Sequence, residues 1–588
     1  MSQLSMQPRR AWITVAFLIG ALFLAGSPAA AQVKNPDTII KLEVTSANTL
    51  EPALSYSGPS CEVIFNIYDL LYNYEHGSTT QYVPMLATEV PTRENGLISE
   101  DGLTYTIPIR KGVKFHNGAV LTPEDVEYSF ERAMVMNPAG SPTWAILYQL
   151  LGVYGTRNSA GEFTVTFEQI DNAVEVEGDN VVFHLAKPSQ TFMQLLPEPW
   201  CVIVNKAWLI DNGGWPGTEE TWKDYNKPAP EEVPLHNIAM GCGPYKLERF
   251  EPENEVVLVR HEEYWREPAK TERILIKYIA EWSTRMLMLR NGDADIVEVG
   301  REYLSQVDTM DGVRVRKGLF MPTVHAITIN QAIDPASPYI GSGQLDGAGI
   351  PPDFFSHVEI RQAFNYAFDW DPYLNETYAG SGTQATGPSP EGIGCYNPDQ
   401  EVYSYDPAKA AELFKQAYDG QLWDVGFTLT GTYGTGSAER KAAFDLLREN
   451  LAAINPRFKL ESVGLTSANR RAGMSAGHLP LLASDWTNDF PDPGDGALCW
   501  MHSDGYYAGT QGFGGIYDAS VEEAADVTDP ALRCQLYFDL WETAYQDAID
   551  IFLVQPSAHR VELQAVKGWY LWLPGWVGRD YFYNLWKE

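Results

Sequence analysis

The chain has 588 residues and carries 77 acidic against 42 basic side chains, a formal net charge of −35. That sign excludes nucleic-acid binding and docking onto anionic lipid through a basic patch. It reads as a strongly solvated acidic surface, with a bias towards cationic ligands as the sharper alternative. The length is too great for one core and implies two or three domains.

Residues 1–31 read as an export signal. Arg9 and Arg10 form its positive start, residues 12–24 its apolar run, and Ala29-Ala30-Ala31 a small-residue cleavage site. The run is shorter than the roughly 20 residues a membrane span needs. No cysteine follows it, which argues against a lipid anchor. The mature chain is expected to begin near Gln32 and to be soluble.

Residues 39–44 alternate as a first strand, and residues 61–72 carry apolar side chains at helical spacing. Residues 104–109 alternate again. Arg110-Lys111-Gly112 turns the chain, and residues 115–118 make a tight loop. Thr122 is then a good N-cap, with Pro123 at the first helical position and Glu124 and Asp125 in the first turn. Residues 163–167 and 180–185 read as strands. Residues 213–239, rich in Trp, Pro and charge, read as a surface insertion. Beyond them, 246–250 and 255–261 form a hairpin. Residues 282–290 are helical and stop at Asn291-Gly292, and 295–297 make a short strand. Residues 358–369 and 438–454 read as amphipathic helices, and Asp406 caps another at Pro407. Alternating strands and helices indicate α/β lobes.

The six cysteines are Cys61, Cys201, Cys242, Cys395, Cys499 and Cys534. No CxxC spacing occurs, so neither a zinc nor a redox site is expected. Fifteen connectivities fit six cysteines. Cys201–Cys242 and Cys499–Cys534 are preferred, because each pair falls within one expected domain. No HExxH, GxSxG or P-loop motif occurs, and the ten histidines are scattered, so no enzyme, metal site or cofactor is expected.

Five blocks in order resemble one family. They are residues 101–134; Gly241-Cys242-Gly243-Pro244-Tyr245 with Tyr264-Trp265; Asn291-Gly292-Asp293-Ala294-Asp295-Ile296; Ile360-Arg361-Gln362-Ala363-Phe364 with Phe368-Asp369; and Tyr405-Asp406-Pro407 with Leu413. The chain resembles the family 5 solute-binding proteins, the oligopeptide/dipeptide/nickel-binding receptors of ABC importers. Cys242 stands where Thr is usual.

The resemblance implies an α/β fold, a two-lobe periplasmic binding protein (type II, cluster C-like) with an extra subdomain in the N-terminal lobe. By that analogy residues 32–75, 188–318 and 557–588 form lobe I, 76–187 its added subdomain, and 319–556 lobe II. The two crossings near 319 and 557 would be the hinge. It further implies a monomer in the periplasm, without catalytic activity. A pair of inner-membrane permease subunits would receive the ligand, with cytoplasmic ATPases acting indirectly.

The stretch from Ser484 to Pro493 is the most chemically suggestive. In peptide-binding members an aspartate in a D-Y-x-x-P-type loop pairs with the peptide's α-ammonium. Asp489 matches that position, with Phe490 where Tyr is frequent and Pro493 in place. Trp486 could pack on the ligand, Thr487 completes the loop's candidate set, and Tyr128 matches a family position that can face the cleft. Peptide is the favoured ligand. An oligosaccharide, which the 17 Trp favour, a nickel chelate, haem or an opine-like compound is the alternative.

Overall fold

The computed structural model describes residues 34–158, 160–572 and 579–588. The export signal read over residues 1–31 lies outside the described residues. Among those described, no helix is long and apolar enough to cross a membrane.

Thr38–Glu43 is the central strand of a seven-stranded sheet, parallel to both Arg273–Tyr278 and Ile296–Val297. Such a strand is covered on both faces, so side chains on both must be buried. Leu42 packs with Leu289 of the helix Trp282–Asn291. Ile39 joins the opposite core with Ile64 of the helix Gly58–Ile67. Alternation puts Lys41 and Glu43 on the Ile39 side, where they meet a buried ion network. The Lys41 ammonium lies 3.0 Å from Glu43, 2.5 Å from Glu62 and 3.1 Å from Asp580. Burial by itself would depress its pKa, but the three carboxylates outweigh that and hold it above the ordinary lysine value. Arg579 pairs with Glu43 at 2.7 Å, and Arg560 with both Asp580 and Glu562. Residues 579–588 are further tied in by Asp580 N to Glu62 and Lys587 to Asp295.

A six-stranded sheet organises the second lobe, in the order Gly382–Thr383, Asp550–Pro556, Thr323–Ile329, Leu481–Thr487, Phe427–Gly434, Phe458–Leu465. The chain passes from the first sheet to the second across residues 320–322 and returns across Ser557. Arg301 of the first lobe donates to the carbonyls of Ser381 and Ser557, gripping the second lobe and the return crossing together.

A smaller antiparallel sheet, Thr104–Pro108, Asn180–His184 and Val174–Glu177, forms a subdomain with the helix Pro123–Met136 packed on it. The helix starts where Thr122 and Pro123 direct it, and the Asp125 carboxylate accepts from Thr122 N at 2.9 Å. Two readings of this region need correction. Residues 163–167 do not form a strand: Thr166 caps the short helix Phe167–Asp171, and Phe163 makes a single bridge to Arg157. Residues 213–239 are not merely superficial, because Trp215 and Trp222 are buried in the first lobe's core.

The disulfide prediction is also corrected. Cys395 and Cys534 are bonded, while Cys61, Cys201, Cys242 and Cys499 are buried free thiols. Cys395 arrives from a loop to meet Cys534 on the helix Pro530–Gln546, which removes Cys534 as a partner for Cys499. Cys201 and Cys242 end in the apolar core, where burial pushes both thiols well above their ordinary range and leaves them inert. Thiol titration of unreduced, denatured protein should therefore give about four thiols, and about six after reduction. Two thiols before reduction would restore the expected pairings.

Candidate functional site

The strand Leu481–Thr487 is apolar and buried through Ala483, then becomes polar at its end beside the first crossing. There Asn488 N donates to Pro322 O. Four residues on, Asp492 accepts from Gly494 N and caps the helix Pro493–Met501, with Pro493 in its first turn. The loop 488–492 is thus pinned at a strand end on one side and a helix start on the other. A strand end facing a cleft is where open α/β folds place ligands.

Three carboxyl groups gather here. Asp492 is matched by Arg533, whose guanidinium donates to both oxygens at 2.7 and 2.9 Å. Among the described residues, neither Asp489 nor Asp495 has such a partner. Asp489 is 2 % exposed, and its Oδ2 accepts from the Tyr56 hydroxyl of the first lobe. Burial raises its carboxyl to about 7, against the opposing effect of the Tyr56 bond. Asp495 accepts from Trp486 Nε1 at 2.8 Å and from Asp489 N at 3.0 Å. Burial, and then the neighbouring Asp489 charge, push it well above the usual carboxylate range. Tyr56 also bonds the Trp144 side chain, so one chain of contacts joins the subdomain, the first lobe and Asp489.

A cavity opens at Asp489, with an empty volume of about 360 Å³ that counts solvent at its mouth. Its walls come from the first lobe (Tyr74, Glu198), the crossing (Phe320, Pro322) and the second lobe (Asn488 to Pro491). None of the described lining residues is basic. Among the described residues, no group of three or more His, Cys, Asp or Glu is placed to hold a metal ion.

The sequence-derived residues separate into three groups. Asp489 and Phe490 line the cavity. Trp486 and Thr487 stand behind it: Trp486 packs against Tyr506 and Tyr507, and Thr487 Oγ1 bonds Thr323 Oγ1 at 2.7 Å. Tyr128 is corrected from cleft to core. It is fully buried, stacks on Trp215 at 5.8 Å, and donates its hydroxyl to Trp215 O. The expectation rested on the resemblance alone; here the ring turns to Trp215 of the first lobe's core instead of the cleft. Tyr56, Trp144 and Asp495 were missed as cavity partners. Only the acidic run 489–495 gave any signal for Asp495; Tyr56 meets Asp489 across 433 positions.

Two lobes joined by two crossings, closing on a buried acidic cavity, define a solute-binding protein. The family model of bacterial extracellular solute-binding proteins, family 5 Middle, matches residues 81–508. Heme-binding protein A of Haemophilus influenzae is 26% identical over 551 residues, 91% of this chain and 89% of that protein. Glutathione-binding protein GsiB of Pectobacterium atrosepticum is 23% identical over 488 residues, 81% of each. The solved periplasmic binding protein DppA of Helicobacter pylori, in complex with the peptide STSA, superposes with a TM-score of 0.71 at 22% identity, over 94% of this chain and 98% of that one. The chain belongs to the family 5 extracellular solute-binding proteins and is a substrate-binding protein of an ABC importer.

Proposed function

We propose that the captured solute is a peptide with a free α-ammonium group. Asp489 carries this reading: a carboxyl buried at the interlobe cavity, beside a tyrosine hydroxyl and with no basic residue among the described lining. An ionised carboxylate in such a place needs a cation. A peptide α-amino group, with an ordinary pKa of about 8, supplies one near neutral pH. The peptide-bound structural relative supports the reading. Haem, named for one sequence relative, fits the cavity less well, since it brings two carboxylates and no ammonium to an acidic wall; glutathione, named for the other, is itself a short peptide with a free α-ammonium.

The loaded receptor then passes its peptide to a pair of permease subunits, with the ATPases acting from the cytoplasmic side. It works as an exported, periplasmic monomer and performs no chemistry on the ligand. Peptide would lie extended, held by main-chain hydrogen bonds as in strand addition. Mass spectrometry of material released by denaturing the purified protein tests the reading. Short peptides are expected. Haem, sugars or a nickel chelate without peptide would overturn it.

A further inference from the structure

We propose that a second chamber, between the subdomain and the second lobe, receives an aromatic side chain of the captured peptide. This inference rests on the peptide reading above and adds which peptides the receptor prefers. The chamber has an empty volume of about 830 Å³, counting solvent at its mouth.

One wall is the helix Trp144–Leu151 with the segment that follows it. Tyr148 and Tyr154 stack there at 4.8 Å and 14°, and Trp144 lies 6.0 Å from Tyr154. The opposite wall belongs to the second lobe and includes Phe490, Leu498, His502 and Val521. Its outer edge is closed by Lys187 to Asp526 at 3.1 Å and by Gln190 to Thr528 O. Because each lobe supplies a wall, the chamber is complete only when the lobes meet, so a group inside it contributes to closure.

The chamber adjoins the ammonium site. Phe490 lines both cavities, and Asp489 N donates to Asp495, a lining residue of the chamber. A side chain on the residue that carries the ammonium therefore has the shortest path into it.

The polar groups in the wall select the ring's chemistry. The two lining cations are already matched, Arg533 by Asp492 and Lys187 by Asp526. Both therefore already face a carboxylate of the protein. Three buried polar atoms of the lining residues have no hydrogen-bond partner: Asp495 Oδ1, His502 Nε2 and Arg533 Nε. His502 Nδ1 accepts from Asp504 N, and its Nε2 lies 3.6 Å from Glu522. A planar apolar ring with a donor at its edge suits both the stacked aromatic wall and the unused carboxyl oxygen. Indole and phenol side chains have that form.

Ala525 lines the chamber from the helix Asp518–Asp526 and touches neither Asp489 nor the cavity beside it. Ala525→Phe should fill the space without disturbing the ammonium site. Calorimetry with Trp-Ala-Ala and Ala-Ala-Ala on the full protein provides the test, with thermal unfolding confirming that the variant is folded. The wild type should bind the tryptophan peptide about tenfold more tightly. Ala525→Phe should remove that preference and leave Ala-Ala-Ala affinity unchanged. Equal affinities for both peptides, or a preference that survives in Ala525→Phe, would overturn the chamber and leave the peptide reading standing. Absence of binding by either peptide would overturn both.

Discussion

Asp489→Ala is expected to weaken peptide binding by about 3 kcal/mol, roughly a hundredfold. The variant loses the carboxylate that accepts from Tyr56 at the cavity. It should fold as well as the wild type, because among the described residues no cation stands beside this buried acid. Calorimetry at pH 7.5 reads the affinity, and an unchanged value would show that the ammonium binds elsewhere.

The pH dependence follows from the same group. Its carboxyl is raised to about 7 by burial, so below that pH a proton competes with the ligand. Affinity should fall about tenfold per unit as pH drops from 7 towards 5. Above about pH 8 the peptide amine loses its own charge, so binding should peak between these limits. For the stability of the closed form itself the sign is the reverse. A raised carboxyl stabilises that form at low pH, and the advantage disappears as pH rises from the ordinary aspartate value of 3.8 to about 7.

Lys41→Met should cost about 3–5 kcal/mol of stability, because removing one member of a buried ion network leaves the others uncompensated. Glu43, Glu62 and Asp580 all lie within 3.1 Å of that ammonium. Arg579 and Arg560 still cover Glu43 and Asp580, which leaves Glu62 most exposed to the loss. Urea unfolding should show the midpoint falling with little change in slope, and Glu62→Gln in the same chain should recover part of the loss. Peptide affinity of the folded variant should be unaffected, since none of the network's residues lines the cavity. A stability within 1 kcal/mol of the wild type would mean that the network is held by its arginines alone.

Legibility in the sequence followed the range of the interactions. The helix Pro123–Met136 could be read because its start is written locally, in Thr122, Pro123 and Asp125. The helix Ala438–Ile454 and the stop at Gly292, which adopts φ +70°, are local in the same sense. Trp215 looked superficial because its segment is rich in proline and charge, yet ring contacts with Tyr128 and Phe167 take it into the core. The Cys395–Cys534 bond spans 139 positions, and nothing in the spacing of six cysteines selects it from fifteen arrangements. Asp489 could be singled out from its loop, but not the Tyr56 hydroxyl that meets it, because that contact belongs to the closed pair of lobes.

The discontinuity of the first lobe also has a kinetic side. Its central strand is bordered by segments more than 230 positions later in the chain, and Asp580 N reaches Glu62 across 518. Pairings this distant must overcome loop-closure entropy before they return any stability, which slows folding. The strand Thr38–Glu43 therefore waits, with both edges unpaired and Lys41 still hydrated, until remote partners arrive. The second sheet also needs distant partners, since Thr323–Ile329 meets Leu481–Thr487 about 160 positions on and Asp550–Pro556 more than 220 on. Both walls of the cleft thus depend on segments late in the chain, and a working cleft exists only once these have joined.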